Sequence, residues 1–155
     1  MNKTYFPYNT PVGHVTIAAD GSAITNIAFG DVELEGERRA TQLTNSCANQ
    51  IQEYLAGRRQ LFDVPLNPHG TDFQKKVWAQ LQLIPYGQTR TYSQIAEAIG
   101  NPKSARAVGR ANNQNPIPIV IPCHRVIGAN GALVGYGGGL RIKEFLLNIE
   151  RAPST

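Results

Sequence analysis

The stretch that constrains the fold most strongly is NPIPIVIPCHRVIG, residues 115–128. Residues 117–121 are apolar and, apart from Pro118, β-branched, which predicts a buried, extended segment. This segment leads into a turn that presents Cys123. Because Pro122 fixes its own φ and has no N–H, the backbone before the cysteine has little freedom. The sequence therefore predicts a cysteine held in a defined place.

Cys123 is followed directly by His124 and Arg125. A thiol is a good nucleophile only as the thiolate, a form that cationic neighbours favour. Neighbours in sequence need not point the same way, however, and a Cys-His pair by itself more often means a buried thiol beside a structural histidine. On the pair alone, both interpretations stay open.

A helix is predicted well before this stretch. Thr71 stands three residues before Gln74 in a capping-box pattern, which starts a helix that runs to about Leu83. Its apolar face consists of Phe73, Val77, Leu81 and Ile84, with Trp78 beside it.

Residues from about 91 to 113 predict a helix-turn-helix. A second capping pattern, at Thr91, starts a helix that Gly100 ends, and Ser104 starts another helix that runs to about Asn113. Two short helices joined by a glycine-containing turn are typical of this motif.

The second of these helices is rich in small residues. A glycine costs a helix interior about 1 kcal/mol relative to alanine. The small side chains therefore indicate a close approach, either to a ligand or to a neighbouring helix. They are Ala105, Ala107, Gly109 and Ala111.

The first half of the chain predicts strands followed by a helix. Residues 12–19 and 23–29, joined by an Asp-Gly-Ser turn, predict a hairpin, and residues 3–7 a third strand. A helix is predicted over residues 37–56. Cys47 falls in its apolar stripe, where a small buried core residue is the favoured interpretation.

Residues 62–70, FDVPLNPHG, contain two prolines and a glycine and predict a boundary between subdomains. We expect a supporting unit over residues 1–66 and a second unit, which carries the helix-turn-helix and Cys123, over residues 67–155. The fold class is α+β. A small antiparallel sheet with a helix comes first, and a mostly helical part with the helix-turn-helix and Cys123 follows.

Charge divides near the same place. Residues 1–70 carry five Lys or Arg and seven Asp or Glu, a net of −2, whereas residues 71–155 carry ten and four, a net of +6. A basic half indicates a polyanion such as nucleic acid, although a solvated basic face explains the charge equally well.

Other patterns restrict the setting. The sequence has no run of eighteen apolar residues and its start lacks the apolar core of a secretory signal, so we expect no membrane partner and a cytoplasmic location. The two cysteines and three histidines lack the close spacing of a zinc site, so neither a metal site nor a disulfide is expected.

The string Pro-Cys-His-Arg-Val, residues 122–126, resembles the active-site signature of the O6-alkylguanine-DNA alkyltransferases. The resemblance runs from about Thr71 to Glu150 without a gap and includes Tyr-Gly-Gly-Gly-Leu at residues 136–140. It implies DNA repair by irreversible, once-per-molecule transfer of an alkyl group from O6-alkylguanine, and from O4-methylthymine, to a cysteine. It implies no cofactor, and a monomer that binds double-stranded DNA, with cooperative binding left open.

By the same resemblance, Cys123 is the alkyl acceptor, His124 is its base through a water, and Glu150 orients the imidazole. Three further residues are expected to support the acceptor, the base and the orienting carboxylate. They are Asn115, which braces the active-site turn, Tyr92, which donates a proton as guanine leaves, and Lys143, near the tyrosine and the pocket.

The resemblance also places the second helix of the motif in the minor groove, a groove about 6 Å wide that admits only small contacting side chains. Arg106 is expected to fill the gap left by a flipped nucleotide. Further expected DNA contacts are Tyr92, Ala105, Ala107, Gly109, Arg110 and Arg125, although Arg110 is equally well explained as a solvated side chain. The expected substrate pocket consists of Pro118, Val126, Val134, Tyr136 and Gly137.

Two departures from the family pattern concern this pocket. Gly137 stands where some members carry a serine. The branched side chain of Val134 is expected to narrow the pocket, so methyl adducts should react faster than benzyl adducts.

Two other functions compete with this hypothesis. A DNA-binding module without transfer activity would not need Cys123. A cysteine hydrolase built on Cys123, His124 and Glu150 would turn over, and it would not explain the helix-turn-helix or Arg106.

Overall fold

The computed structural model describes residues 2–151. The chain forms two compact units, Met1–His69 and Gly70–Thr155. The first combines a small sheet with one helix and the second is mostly helical, so the predicted α+β class is confirmed. No helix within residues 2–151 has the length and apolar character needed to cross a bilayer.

The first unit is built on a four-stranded sheet of order β3-β2-β1-β4. The strands β1 (Thr4–Thr10), β2 (Gly13–Ala19) and β3 (Ile24–Phe29) pair in antiparallel fashion, as the hairpin pattern predicts. The fourth strand, β4 (Glu37–Arg38), pairs parallel to β1, so the sheet is mixed.

Helix α1 covers Gln42–Leu55, so the predicted start at residue 37 is wrong. The helix begins where Thr41 caps it, in a capping box with Thr44. Residues 37 and 38 instead lie in β4, because Gly36 lets the chain approach β1. A Cβ at Gly36 would stand only 2.3 Å from the Lys3 carbonyl oxygen.

Cys47 lies in the buried face of α1 and is fully buried, as predicted for a core residue. Burial raises the pKa of its thiol to about 12. Cys47 is therefore a neutral packing residue at physiological pH.

The second unit contains α2 (Asp72–Leu81), α3 (Tyr92–Ala98), α4 (Ala105–Asn113) and α5 (Leu140–Arg151). The capping boxes predicted at Thr71 and Thr91 are both present. Helices α3 and α4 form the predicted helix-turn-helix, and α2 packs against both. The buried Trp78 indole on α2 donates a hydrogen bond of 2.8 Å to the Ala111 carbonyl on α4.

A short pairing ties the motif to the cysteine-bearing segment. Strand β5 (Arg90–Thr91) pairs parallel with β6 (Val126–Ile127). Between α4 and β6, a 3₁₀ turn covers Cys123–Arg125. The start of the helix-turn-helix and the residues after Cys123 are therefore adjacent.

Residues 117–121 are buried, as predicted, but they are not extended. The Ile121 N–H donates to the Ile117 carbonyl at 2.9 Å, which closes a tight turn. Ile119 at its centre has φ of 74°, a conformation that β-branched residues rarely adopt. The apolar pattern correctly indicated burial but did not determine the backbone path.

Candidate active site

Cys123 begins the 3₁₀ turn and is 4% exposed. Burial raises the pKa of its thiol to about 11, against smaller lowering effects of a hydrogen bond with Asn115 and the charge of Lys143. The nearby cation is thus supplied by α5, twenty residues later, and not by the adjacent Arg125. At neutral pH the resting thiol is protonated, so transfer requires a base.

Asn115 holds the turn that precedes Cys123. Its amide donates to the Ile121 carbonyl at 2.8 Å, and its side-chain oxygen accepts from the Ile117 N–H at 3.0 Å. One side chain thereby bridges both ends of the strained turn at Ile119. This geometry supports the bracing role that the family resemblance implies.

His124 and Glu150 form a buried pair. The imidazole Nε2 lies 2.7 Å from Glu150 Oε2, and both side chains are almost entirely buried. Burial lowers the pKa of His124, so the imidazole is neutral near pH 7. Because a carboxylate only accepts, the neutral ring carries its proton on Nε2, which leaves the lone pair on Nδ1.

The surroundings of the Arg125 side chain do not support its predicted role as a DNA contact. Its guanidinium is buried and donates to both oxygens of Glu150, through Nε to Oε1 at 2.8 Å and Nη2 to Oε2 at 3.0 Å. The remaining nitrogen, Nη1, donates to the Ile84 carbonyl at 2.8 Å. All three nitrogens are therefore engaged inside the protein and the side chain is not presented to a phosphate, so this prediction is wrong.

Tyr92 and Lys143 converge on one carbonyl. The Tyr92 hydroxyl donates to the Val134 carbonyl at 3.1 Å, and the Lys143 ammonium donates to the same oxygen at 2.8 Å. Lys143 also donates to the Val126 carbonyl at 2.6 Å. Burial raises the pKa of Tyr92, and a thiolate at Cys123 raises it further, so the phenol keeps its proton at neutral pH. The expected proximity of Tyr92, Lys143 and Cys123 is therefore present.

The expected pocket residues differ in exposure. Pro118 and Val126 are buried and Tyr136 is half-buried, whereas Val134 is 43% exposed and Gly137 is exposed. Within residues 2–151, and apart from the two chain neighbours of Gly137, no atom would lie within 4 Å of a Cβ at this position, so a side chain here would meet open space.

Helix α4 presents its arginines to solvent. Arg106 and Arg110 are both exposed, and the small residues Ala105, Ala107 and Gly109 are half-buried. A Cβ at Gly109 would lie 3.7 Å from the Tyr92 ring, an ordinary van der Waals contact. Packing within the protein therefore does not require glycine at position 109.

Sequence reasoning missed two contributors to the site. The Gly87 N–H donates to Glu150 Oε1 at 3.1 Å, and the buried Asn112 amide donates to the Cys123 carbonyl at 3.4 Å. Pro-Tyr-Gly at residues 85–87 is a helix-ending pattern, and it does not indicate a contact with Glu150. Nothing in the local pattern around Asn112 distinguishes it from other polar residues of α4.

Within the part of the chain that the structure describes, no three His, Cys, Asp or Glu side chains are grouped so as to hold a metal ion. The side chains that the structure brings together at the site are a thiol, an imidazole–carboxylate pair, a phenol and two buried basic groups.

This fold and site define a helix-turn-helix protein with a buried cysteine beside a histidine–glutamate pair. The model of the 6-O-methylguanine DNA methyltransferase DNA-binding domain matches residues 72–152, and the model of the ribonuclease-like domain of the same proteins matches residues 3–68. The chain belongs to the 6-O-methylguanine DNA methyltransferase family, which confirms the resemblance found in the sequence.

Similar proteins cover nearly the whole chain. A methylated-DNA–protein-cysteine methyltransferase of Methanosarcina acetivorans is 46% identical, over 94% of this chain and 97% of the relative. The constitutive enzyme of Bacillus subtilis is also 46% identical, over 95% and 94%. The crystal structure of Mycobacterium tuberculosis OGT in complex with DNA superposes with a TM-score of 0.90 at 45% identity, over 96% of this chain and 92% of that one.

Proposed function

We propose that this chain repairs DNA by transferring the alkyl group of O6-alkylguanine, and of O4-methylthymine, to Cys123 in one irreversible reaction per molecule. Transfer from methylated DNA to a protein cysteine is the activity of its relatives. The observation that carries the assignment to Cys123 is its place beside the His124–Glu150 pair, in the unit that also holds the helix-turn-helix.

The reaction begins with removal of the thiol proton. His124 accepts it at Nδ1 through a water, and Glu150 stabilises the imidazolium that forms. The sulfur then bonds to the alkyl carbon while the bond between that carbon and O6 breaks, and its electron pair stays with guanine. Tyr92 gives guanine a proton, and the proton held by His124 restores the phenol, so charges and protons balance.

The thioether formed at Cys123 explains why each protein molecule reacts only once. A thioether is a stable bond with no leaving group that water displaces readily, and no group in the site reverses it. The lesion itself is the alkyl donor, so the reaction needs no cofactor. Each molecule therefore acts as a stoichiometric acceptor.

Access to the lesion requires base flipping, because the O6-alkyl carbon lies within stacked DNA and unstacking costs a few kcal/mol. The exposed Arg106 fills the vacated space, and the small residues of α4 lie in the minor groove. Gly109 supports this role, because a Cβ at this position would fit against Tyr92 and internal packing therefore does not explain the glycine. Arg110 contacts phosphate.

The pocket sets the substrate range. Gly137 offers its backbone N–H where a serine would offer a side chain, and Val134 narrows the entrance, so methyl adducts react faster than benzyl adducts. The chain acts as a monomer in the cytoplasm.

The test is fixation of label from DNA that carries methyl-labelled O6-methylguanine. Label should become bound to protein and saturate at one per molecule. Cys123→Ala should abolish fixation and leave DNA binding intact. The matched control is Cys47→Ala, which removes the other cysteine and should retain full fixation.

Each alternative gives a different result. Label released into solution with turnover would indicate a hydrolase, and DNA binding without fixed label would indicate a recognition module. Fixation by the Cys123→Ala protein would disprove the assignment of the acceptor.

A further inference from the structure

We propose that Arg125 is a positioning residue of the transfer reaction, which holds the Glu150 carboxylate in the orientation that keeps the His124 proton on Nε2. The inference rests on the proposed roles of Cys123 and His124. It gives a function to the arginine that follows the catalytic pair in sequence and that does not face DNA.

Arg125 and Glu150 form a bidentate pair with two hydrogen bonds. Nε donates to Oε1 at 2.8 Å and Nη2 donates to Oε2 at 3.0 Å, a bidentate arrangement that fixes direction as well as distance. The guanidinium is itself anchored. Its Nη1 donates to the Ile84 carbonyl at 2.8 Å, and its carbon lies 5.7 Å from the centre of the Tyr86 ring.

The orientation of the Glu150 carboxylate depends on these hydrogen bonds, because the last side-chain torsion of glutamate has a broad intrinsic distribution. Oε1 accepts from Arg125 and from the Gly87 N–H at 3.1 Å, and Oε2 accepts from Arg125 and lies 2.7 Å from His124 Nε2. With both oxygens held, Oε2 remains aimed at the imidazole. The ring then has one tautomer, and Nδ1 keeps the lone pair that receives the thiol proton.

Charge gives Arg125 a second effect on the same ring. The groups that act on His124 are Glu150 and Lys143 on α5 and Arg125 on its own turn. Burial lowers the pKa of His124 most; Glu150 raises it, and Arg125 and Lys143 lower it further. By neutralising Glu150, Arg125 prevents the imidazole from taking a proton from solvent before it takes one from Cys123.

Two substitutions separate orientation from charge. Arg125→Lys keeps the positive charge but loses the planar two-point contact. It should slow label fixation at saturating DNA by about 10- to 100-fold, the size of the loss when the partner that orients a metal-bound histidine is removed. Arg125→Gln also removes the charge, so the acid limb of the pH–rate profile should move to higher pH.

The matched control is Arg141→Lys, at an exposed arginine of α5 that has no contact with Glu150 among the described interactions. It should react at the wild-type rate. A wild-type rate and pH profile in Arg125→Lys would overturn the proposal. So would a loss confined to DNA affinity, because that result would make Arg125 a DNA contact.

A second measurement needs no variant. Nitrogen NMR of the wild-type protein should show neutral His124 with its proton on Nε2 at pH 7. A proton on Nδ1, or an imidazolium, would overturn the proposal even if the arginine variants fail to fold. Failure of the proposed function is distinct, since the wild-type protein would then fix no label or would fix it without Cys123.

Discussion

At the scale of single residues, burial determines the protonation states on which the site depends. It raises the pKa of the Cys123 thiol to about 11 and lowers that of His124. The resting site therefore holds a neutral thiol and a neutral imidazole, not the ion pair of an activated cysteine protease. Proton transfer between them has to accompany the reaction with substrate.

The lowered pKa of His124 predicts a pH-dependent stability. Below about pH 6.5 the unfolded chain binds a proton at this residue that the folded chain excludes. The free energy of unfolding should therefore decrease as the pH falls through about 6.5, the pKa of an unperturbed histidine. Urea unfolding at a series of pH values measures this effect.

The comparison protein for this experiment is His124→Asn, which cannot titrate in that range. Its free energy of unfolding should change less over the same interval. Equal changes in the two proteins would show that His124 is not the group responsible.

At the scale of secondary-structure elements, α4 combines an internal glycine with an exposed, basic surface. Gly109 weakens the helix relative to alanine, and its contact with Tyr92 does not require a glycine. A sequence that sacrifices helix stability without an internal reason indicates an external one. DNA in the minor groove is the ligand that our proposal assigns to this surface.

Gly109→Ala should therefore affect stability and binding in opposite directions. It should raise the free energy of unfolding by up to about 1 kcal/mol, the helix propensity difference. It should weaken DNA binding by roughly fivefold, or about 1 kcal/mol, because the added methyl group meets the groove. Denaturation and fluorescence anisotropy measure the two quantities.

Gly100 provides the contrast. Its φ is 81°, so Gly100→Ala should destabilise the fold, although no other atom would lie within 4 Å of the new Cβ. Stronger or unchanged DNA binding by Gly109→Ala would mean that close approach to the groove does not explain the glycine.

At the scale of the whole molecule, burial determines how much of the net charge of residues 71–155 is exposed to solvent. Of the ten basic residues in positions 71–155, Arg125 and Lys143 are buried, and the acidic Glu150 is buried with them. Eight basic and three acidic residues remain outside the core, so this unit still presents a net charge of +5. The polyanion partner inferred from composition is therefore matched by charge that solvent can reach.

This charge predicts salt-dependent binding in which Arg110 and Arg106 differ. Each phosphate contact contributes about 0.9 to the slope of log affinity against log salt. Arg110→Ala should reduce the slope by about that amount and leave the transfer rate at saturating DNA unchanged. Arg106→Ala should mainly slow transfer, because a flipped nucleotide loses the side chain that replaces it.

Arg58→Ala, at an exposed arginine of the acidic first unit, serves as the control and should alter neither quantity. Affinity from anisotropy and rates from label fixation separate the two roles. Equal effects of Arg106→Ala and Arg110→Ala on the slope alone would mean that both residues only contact phosphate.

The sequence by itself was sufficient for the features that depend on residues a few positions apart. The capping boxes at Thr71 and Thr91 and the two helices of the motif follow from local hydrogen bonds and turn residues. The family resemblance identified Cys123 because its signature is contiguous. These elements were predictable because the groups that define them lie within one or two helical turns.

Only the tertiary structure decided the features that depend on distant partners. It showed that Arg125 binds Glu150 on α5, that the charge of Lys143 lowers the pKa of Cys123, and that residues 117–121 form a turn. Hydrogen-bond partners and the loss of solvent are set by which groups meet in the folded chain. Nothing in the residues next to Arg125 indicates its partner, and only folding brings its guanidinium to the buried carboxylate of Glu150.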